Sequence, residues 1–103
     1  MNKTIPLNSP TLAGHVLDAV AKVTGISKEK MLSSSRLWPL VEARMLVILM
    51  MHRLGCIDGT IALALHRNRS TICSSRGKAW AQLEYSKSFR DKYLKIKDII
   101  DNI

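Results

Sequence analysis

The chain has 103 residues, 47% of them hydrophobic, with 16 Lys plus Arg against 8 Asp plus Glu, a formal charge of +8. Such a length holds one modest core and excludes a second domain, and the hydrophobic content excludes a disordered basic tail. The charge points to an anionic partner (nucleic acid, a membrane surface or an acidic protein), or to a basic surface that is merely solvated.

Met1 to Pro10 carries one Lys and no apolar core of signal-peptide length, so no export is expected. Ser9 and Pro10 then supply an N-cap and a first-turn proline. Leu12, Val16, Val20 and Val23 keep a helical period behind them until Gly25 stops it. Ser27 starts a short second helix holding Met31 and Leu32, and a polar Ser33-Ser34-Ser35-Arg36 link follows. Pro39 opens a long helix through Leu54, with Gly55 as its stop. The longest apolar run, Met45 to Met51, falls inside that helix, between Arg44 and His52. It is far short of the ~20 residues needed to span a bilayer, and it reads as one buried helix with no membrane role. Asp58 is expected to cap a short helix carrying Ile61, Ala62 and Leu65. Asn68 begins the next, running to about Tyr85. Ser86 or Ser88 caps a final helix holding Phe89, Tyr93, Ile96, Ile99 and Ile100. Strand alternation and hairpin dipeptides are absent. The expectation is an all-α single domain over residues 1–103, with five to six helices. Cys56 and Cys73 are too few for a disulfide scaffold, which predicts a reducing cytoplasm and small buried thiols.

The order of elements is informative. A long buried helix, a short helix, a tight connection at His66-Arg67 and a helix with a basic leading end describe a helix-turn-helix. Behind Asn68, residues Arg69, Ser70 and Thr71 fill a first turn where the helix dipole already favours anions. The nearest acids, Asp58 and Glu84, lie well outside residues 66–78. On a helical wheel Ile72, Ala79 and Leu83 share one face. Ser70, Ser74, Gly77 and Ala81 share the opposite face, beside Thr71 and Lys78. So small an outer face admits close approach of another surface, and its hydroxyls match base edges or phosphates. The same residue types also suit packing against another helix.

The arrangement from about His15 to Ile100 resembles the C-terminal DNA-binding domain of the bacterial chromosomal replication initiator DnaA. That family opens its recognition helix with an Asp-His-Thr-Thr-Val run, and Asn68-Arg69-Ser70-Thr71-Ile72 stands in its place. The Ile26 to Leu32 segment followed by a Ser-rich, Arg-containing link is also similar to the family. The resemblance implies that Arg36 enters the minor groove and that Arg44 holds a phosphate. It further implies base reading by Asn68, Arg69, Ser70 and Thr71, with Ser74 and Lys78 further along the helix; Arg67, in the turn, joins this DNA-binding set. Departures are plain. The link holds Trp38, Leu40 and Glu42 where several arginines are expected. His66-Arg67 replaces a glycine-containing turn, and Asn68 and Arg69 replace Asp and His, so a different base preference is expected. No Gly-x-x-x-x-Gly-Lys-Ser/Thr loop occurs, which removes the family's ATPase chemistry.

Other functions have weaker support. His15, His52 and His66 are scattered without a carboxylate pattern, so no enzyme is expected. His52 and Cys56 are four apart, but Gly55 interrupts the helix between them, so neither a metal nor a cofactor is expected. The final helix sets Phe89, Tyr93, Ile96 and Ile100 beside Lys92, Lys95 and Lys97, a stripe fit for its own core or for a partner. The expected function is sequence-specific binding of double-stranded DNA in the cytoplasm, at the nucleoid. The alternative is an interaction or dimerisation module acting through the C-terminal helix, such as a small regulator or a mobile-element accessory protein.

Overall fold

Helix α3, Trp38–Arg53, is the axis about which the other helices are arranged. A computed structural model describes residues 10–103. Among them are six helices and no strand: α1 Pro10–Thr24, α2 Lys28–Leu32, α3, α4 Asp58–Leu65, α5 Arg69–Tyr85 and α6 Lys87–Asp101. The expected Ser9 cap lies outside the described residues.

The remaining punctuation is local and mostly as expected. Gly25 and Gly55 end α1 and α3 with φ of 76° and 93°, the left-handed region that glycine enters without a Cβ penalty. Ser27 caps α2 by accepting from the Lys30 amide at 3.3 Å. Ser86, not Ser88, caps α6, accepting from the Phe89 amide at 3.2 Å, and the same residue terminates α5. Pro39 follows Trp38 in the first turn of α3. One cap differs. Ile57 occupies the N-cap of α4, and Asp58 stands in the first turn, where its carboxylate pairs with Arg76 of α5. The ion pair to the next helix replaces the expected local hydrogen bond.

Helix α3 packs against all five other helices, so Ala43 and Met45 to Met51 are buried around its whole circumference. Such an all-round apolar helix belongs in a core. The stripe of α1 (Leu12, Val16, Val20) meets it from one side, and α6 lies across both α1 and α3. Phe89, Tyr93, Ile96 and Ile100 of α6 are buried within the domain, so its apolar stripe is spent on its own core. Glu42 is buried too, its carboxylate held at 2.7 Å by Lys92 Nζ of α6. The position that departs from a basic link is therefore a tie between α3 and α6.

Helices α4 and α5 form the helix-turn-helix against α3. Ile61, Ala62 and Leu65 of α4 and Ile72 and Ala79 of α5 enter the core. The turn is His66-Arg67-Asn68. His66 takes φ 55° and ψ 45°, and the Arg67 amide returns to the Ala62 carbonyl at 2.9 Å. A non-glycine residue thus occupies the left-handed position of the turn. Among the described residues no helix is long and apolar enough to cross a membrane.

Candidate nucleic-acid interface

A groove of about 640 Å³ runs between the α2–α3 link, one side of α3 and the first half of α5. Val41, Met45 and Ile48 of α3 line it with apolar surface. Its polar lining is Ser34, Ser35, Arg36, Arg44, Arg67, Ser70, Thr71, Ser74, Ser75 and Lys78. No carboxylate is among these residues. Five of the eight acids, Asp18, Glu42, Asp58, Asp91 and Asp101, pair with Lys or Arg elsewhere. The groove therefore gathers four cations, Arg36, Arg44, Arg67 and Lys78, with no carboxylate in its lining.

Seven of the nine residues expected to touch DNA line this groove: Arg36, Arg44, Arg67, Ser70, Thr71, Ser74 and Lys78. They come from the α2–α3 link, α3, the turn and α5, spread between positions 36 and 78 of the sequence. Arg36, Ser70, Thr71, Ser74 and Lys78 are exposed, as are Gly77 and Ala81 on the outer face of α5. Ile72 and Ala79 point inward and Leu83 is partly buried, so the two faces of α5 divide as its sequence predicts.

Arg44 is placed differently from a surface phosphate contact. It is 8% exposed. Its Nε donates to the Met31 carbonyl at 2.6 Å and its Nη1 to Ser35 at 2.7 Å, while Nη2 donates to Ser33 at 2.8 Å and to Lys30 at 3.3 Å. Four of the five N–H groups of a guanidinium are thus committed to backbone carbonyls. Burial, and after it the neighbouring charge of Arg67, lower the Arg44 pKa. The link itself is tightened by its serines: the Ser35 amide donates to Ser33 Oγ at 3.4 Å and the Leu37 amide to Ser35 Oγ at 3.3 Å.

Asn68 and Arg69 do not line the groove. Asn68 has the extended backbone of an N-cap, but its side chain makes no capping bond and is exposed. Arg69 turns to the other flank of α5. There a second cavity of about 510 Å³ is lined by His52, Cys56, Ile57, Asp58, Gly59, Arg69 and Arg76. A methyl group on Gly59 would meet the Arg69 stem at 3.6 Å, so the arginine lies along the start of α4. Arg76 is held beside it by Asp58, which raises the Arg76 pKa by hydrogen bonding.

The groove also contains residues that sequence reasoning missed. In the sequence Ser34, Ser35 and Ser75 are simply polar neighbours of Arg36 and Ser74, and the apolar lining from α3 carries no signal because that helix is apolar on every side. Cys56 is buried as expected, but Cys73 is exposed on α5, one position beyond inward-facing Ile72. Among the described residues no group of three or more His, Cys, Asp or Glu side chains converges as a metal site would. No protein-family model matches the chain, and no curated protein does.

Proposed function

We propose that this protein binds double-stranded DNA, with the outer face of α5 in the major groove and Arg36 in the adjacent minor groove. The observation that carries the reading is the cationic groove without a carboxylate, bordered by an exposed helix face of small and hydroxyl-bearing residues. Cations that no acid neutralises attract phosphate, and releasing condensed counterions drives association. The small face of Ser70, Ser74 and Gly77 allows the α5 backbone to approach base edges closely, and Thr71 offers a hydroxyl and a methyl to them. Arg36, exposed on the link, suits a narrow A/T-rich minor groove. Arg69, on the far flank, fits a phosphate contact better than a base contact. In this reading the chain is a DNA-reading module of the type found at the C-terminus of DnaA, without ATPase chemistry. The protein-partner alternative relied on the apolar stripe of α6, which is buried within the domain.

Fluorescence anisotropy over a salt series tests the proposal. With about five phosphates neutralised, log affinity falls against log salt with a slope of roughly −4 to −5. Selection of duplexes from a random pool then yields the preferred site. A flat salt dependence, or no duplex binding at low salt, refutes the reading.

A further inference from the structure

Within the link between α2 and α3, one atom is held from two sides. The Ser33 carbonyl accepts from two guanidiniums, Arg44 Nη2 at 2.8 Å and Arg67 Nη2 at 2.5 Å. Arg67 also donates through Nη1 to the carbonyls of Leu65 at 3.1 Å and His66 at 3.3 Å. Leu65 ends α4 and His66 is the left-handed residue of the turn. A single side chain therefore spans from the link to the helix-turn-helix, across 34 positions of sequence. Arg44 binds the same carbonyl to α3. Two cations sharing one acceptor repel each other, and no carboxylate lining the groove relieves them. The carbonyl dipoles are what hold the pair together. The planar fork reaches the turn and the link through two separate nitrogens, whereas an ammonium gathers its three donors on one.

We infer that Arg67 is a positioning residue: by fixing the Ser33 carbonyl to the turn it holds Arg36 in register with α5, so that the link and the helix meet DNA as one rigid unit. The inference rests on the DNA-binding reading above for its functional half. Arg36 is three residues beyond the anchored carbonyl, within about 10 Å of it along even a fully extended chain. Anchoring Ser33 thus restricts where the Arg36 guanidinium can go. Without it, the link is tied only to α3, and the minor-groove and major-groove contacts are no longer set relative to each other.

Two measurements test this, and the first needs no DNA. Amide exchange of Ser35 and Leu37 in the free protein reports on the link. Arg67→Met and Arg67→Lys should both accelerate it about tenfold, the effect of losing a hydrogen bond to a charged donor, while α6 amides stay unchanged. Unchanged link exchange in both variants overturns the anchoring. The second is a double-mutant cycle on a duplex with A/T flanks. In the wild-type background Arg36→Ala weakens binding; with Arg67→Lys, which keeps the charge but not the fork, the same substitution should change affinity less than about twofold. Strictly additive effects, with Arg67→Lys leaving the response to Arg36→Ala intact, overturn the positioning role and make Arg67 a simple charge. Absence of any duplex binding by the wild type refutes the DNA reading instead, and the exchange measurement then decides the anchoring alone.

Discussion

Arg44→Met separates a structural arginine from a phosphate-binding one. Methionine keeps much of the apolar stem and removes every donor. Not all four carbonyls are orphaned by it. Lys30 keeps the Ser33 amide and hydroxyl as donors, and Ser33 keeps Arg67. The Met31 and Ser35 carbonyls lose the side-chain donor shown for each. Met31 is fully buried, so its carbonyl bears a desolvation cost of ~1–3 kcal/mol, while half-buried Ser35 recovers part of its loss from water. Relief of the Arg67 repulsion offsets a fraction. The expected loss is ~2–4 kcal/mol, a large share of the ~5–15 kcal/mol stabilising a domain of this size. At 4–8 °C per kcal/mol, a 3 kcal/mol loss lowers Tm by about 12–24 °C. Circular dichroism melting measures it, with Arg44→Lys intermediate. The DNA salt slope, measured well below the melting transition, should be unchanged, since the Arg44 donors are committed to backbone carbonyls. A Tm within about 3 °C of wild type, together with a slope reduced by about one, refutes this and restores the phosphate role that the DnaA resemblance implies.

Three other outcomes follow from the geometry. Thr71→Ala should relax preference at one or two base positions by ~1–3 kcal/mol, whereas Lys78→Ala should weaken specific and random duplexes alike; equal losses for both variants on both duplexes would place the wrong surface of α5 in the groove. His66 has a positive φ, so His66→Gly should change stability by only about 0–1 kcal/mol in the favourable direction, while β-branched His66→Val should cost ~1–2 kcal/mol, read by urea denaturation. The hydrogen bond from Lys97, and then the charge of Arg53, hold the Asp101 carboxyl below its ordinary value near 3.8. A depressed folded pKa means that this contribution is complete above the ordinary value and is lost as pH falls through the folded one. Asp101 is substantially exposed, so solvent screening limits the effect to a few tenths of a kcal/mol; Asp101→Asn should flatten that part of the Tm profile between about pH 6 and about pH 2, and high salt should erase the difference.

The helices and their limits were legible in the sequence because their causes are local. Ser27, Ser86, Gly25 and Gly55 act on backbone groups within a few positions of themselves, and the period of Leu12, Val16 and Val20 is a property of one helix. The outer face of α5 was legible for the same reason, since helical geometry alone separates Ser70, Ser74 and Gly77 from Ile72 and Ala79. Arg44 and Arg69 were not. As sequence both are exposed cations on helices, and nothing near Arg44 reveals that the Met31 carbonyl, 13 positions away, will accept its Nε. Asp58 had a plausible local partner in its own helix end, yet Arg76, 18 positions on, offered a full charge where a backbone amide offers a partial one. Cys73 reads as a small apolar residue, but one position on from inward-facing Ile72 is about 100° round the helix, which turns it outward. Local hydrogen bonding and periodicity thus determined which segments are helical and which face of each is apolar. Only packing around α3 decided which side chains from the link, the turn and α5 meet in one groove, because that depends on distances between residues that the sequence holds far apart.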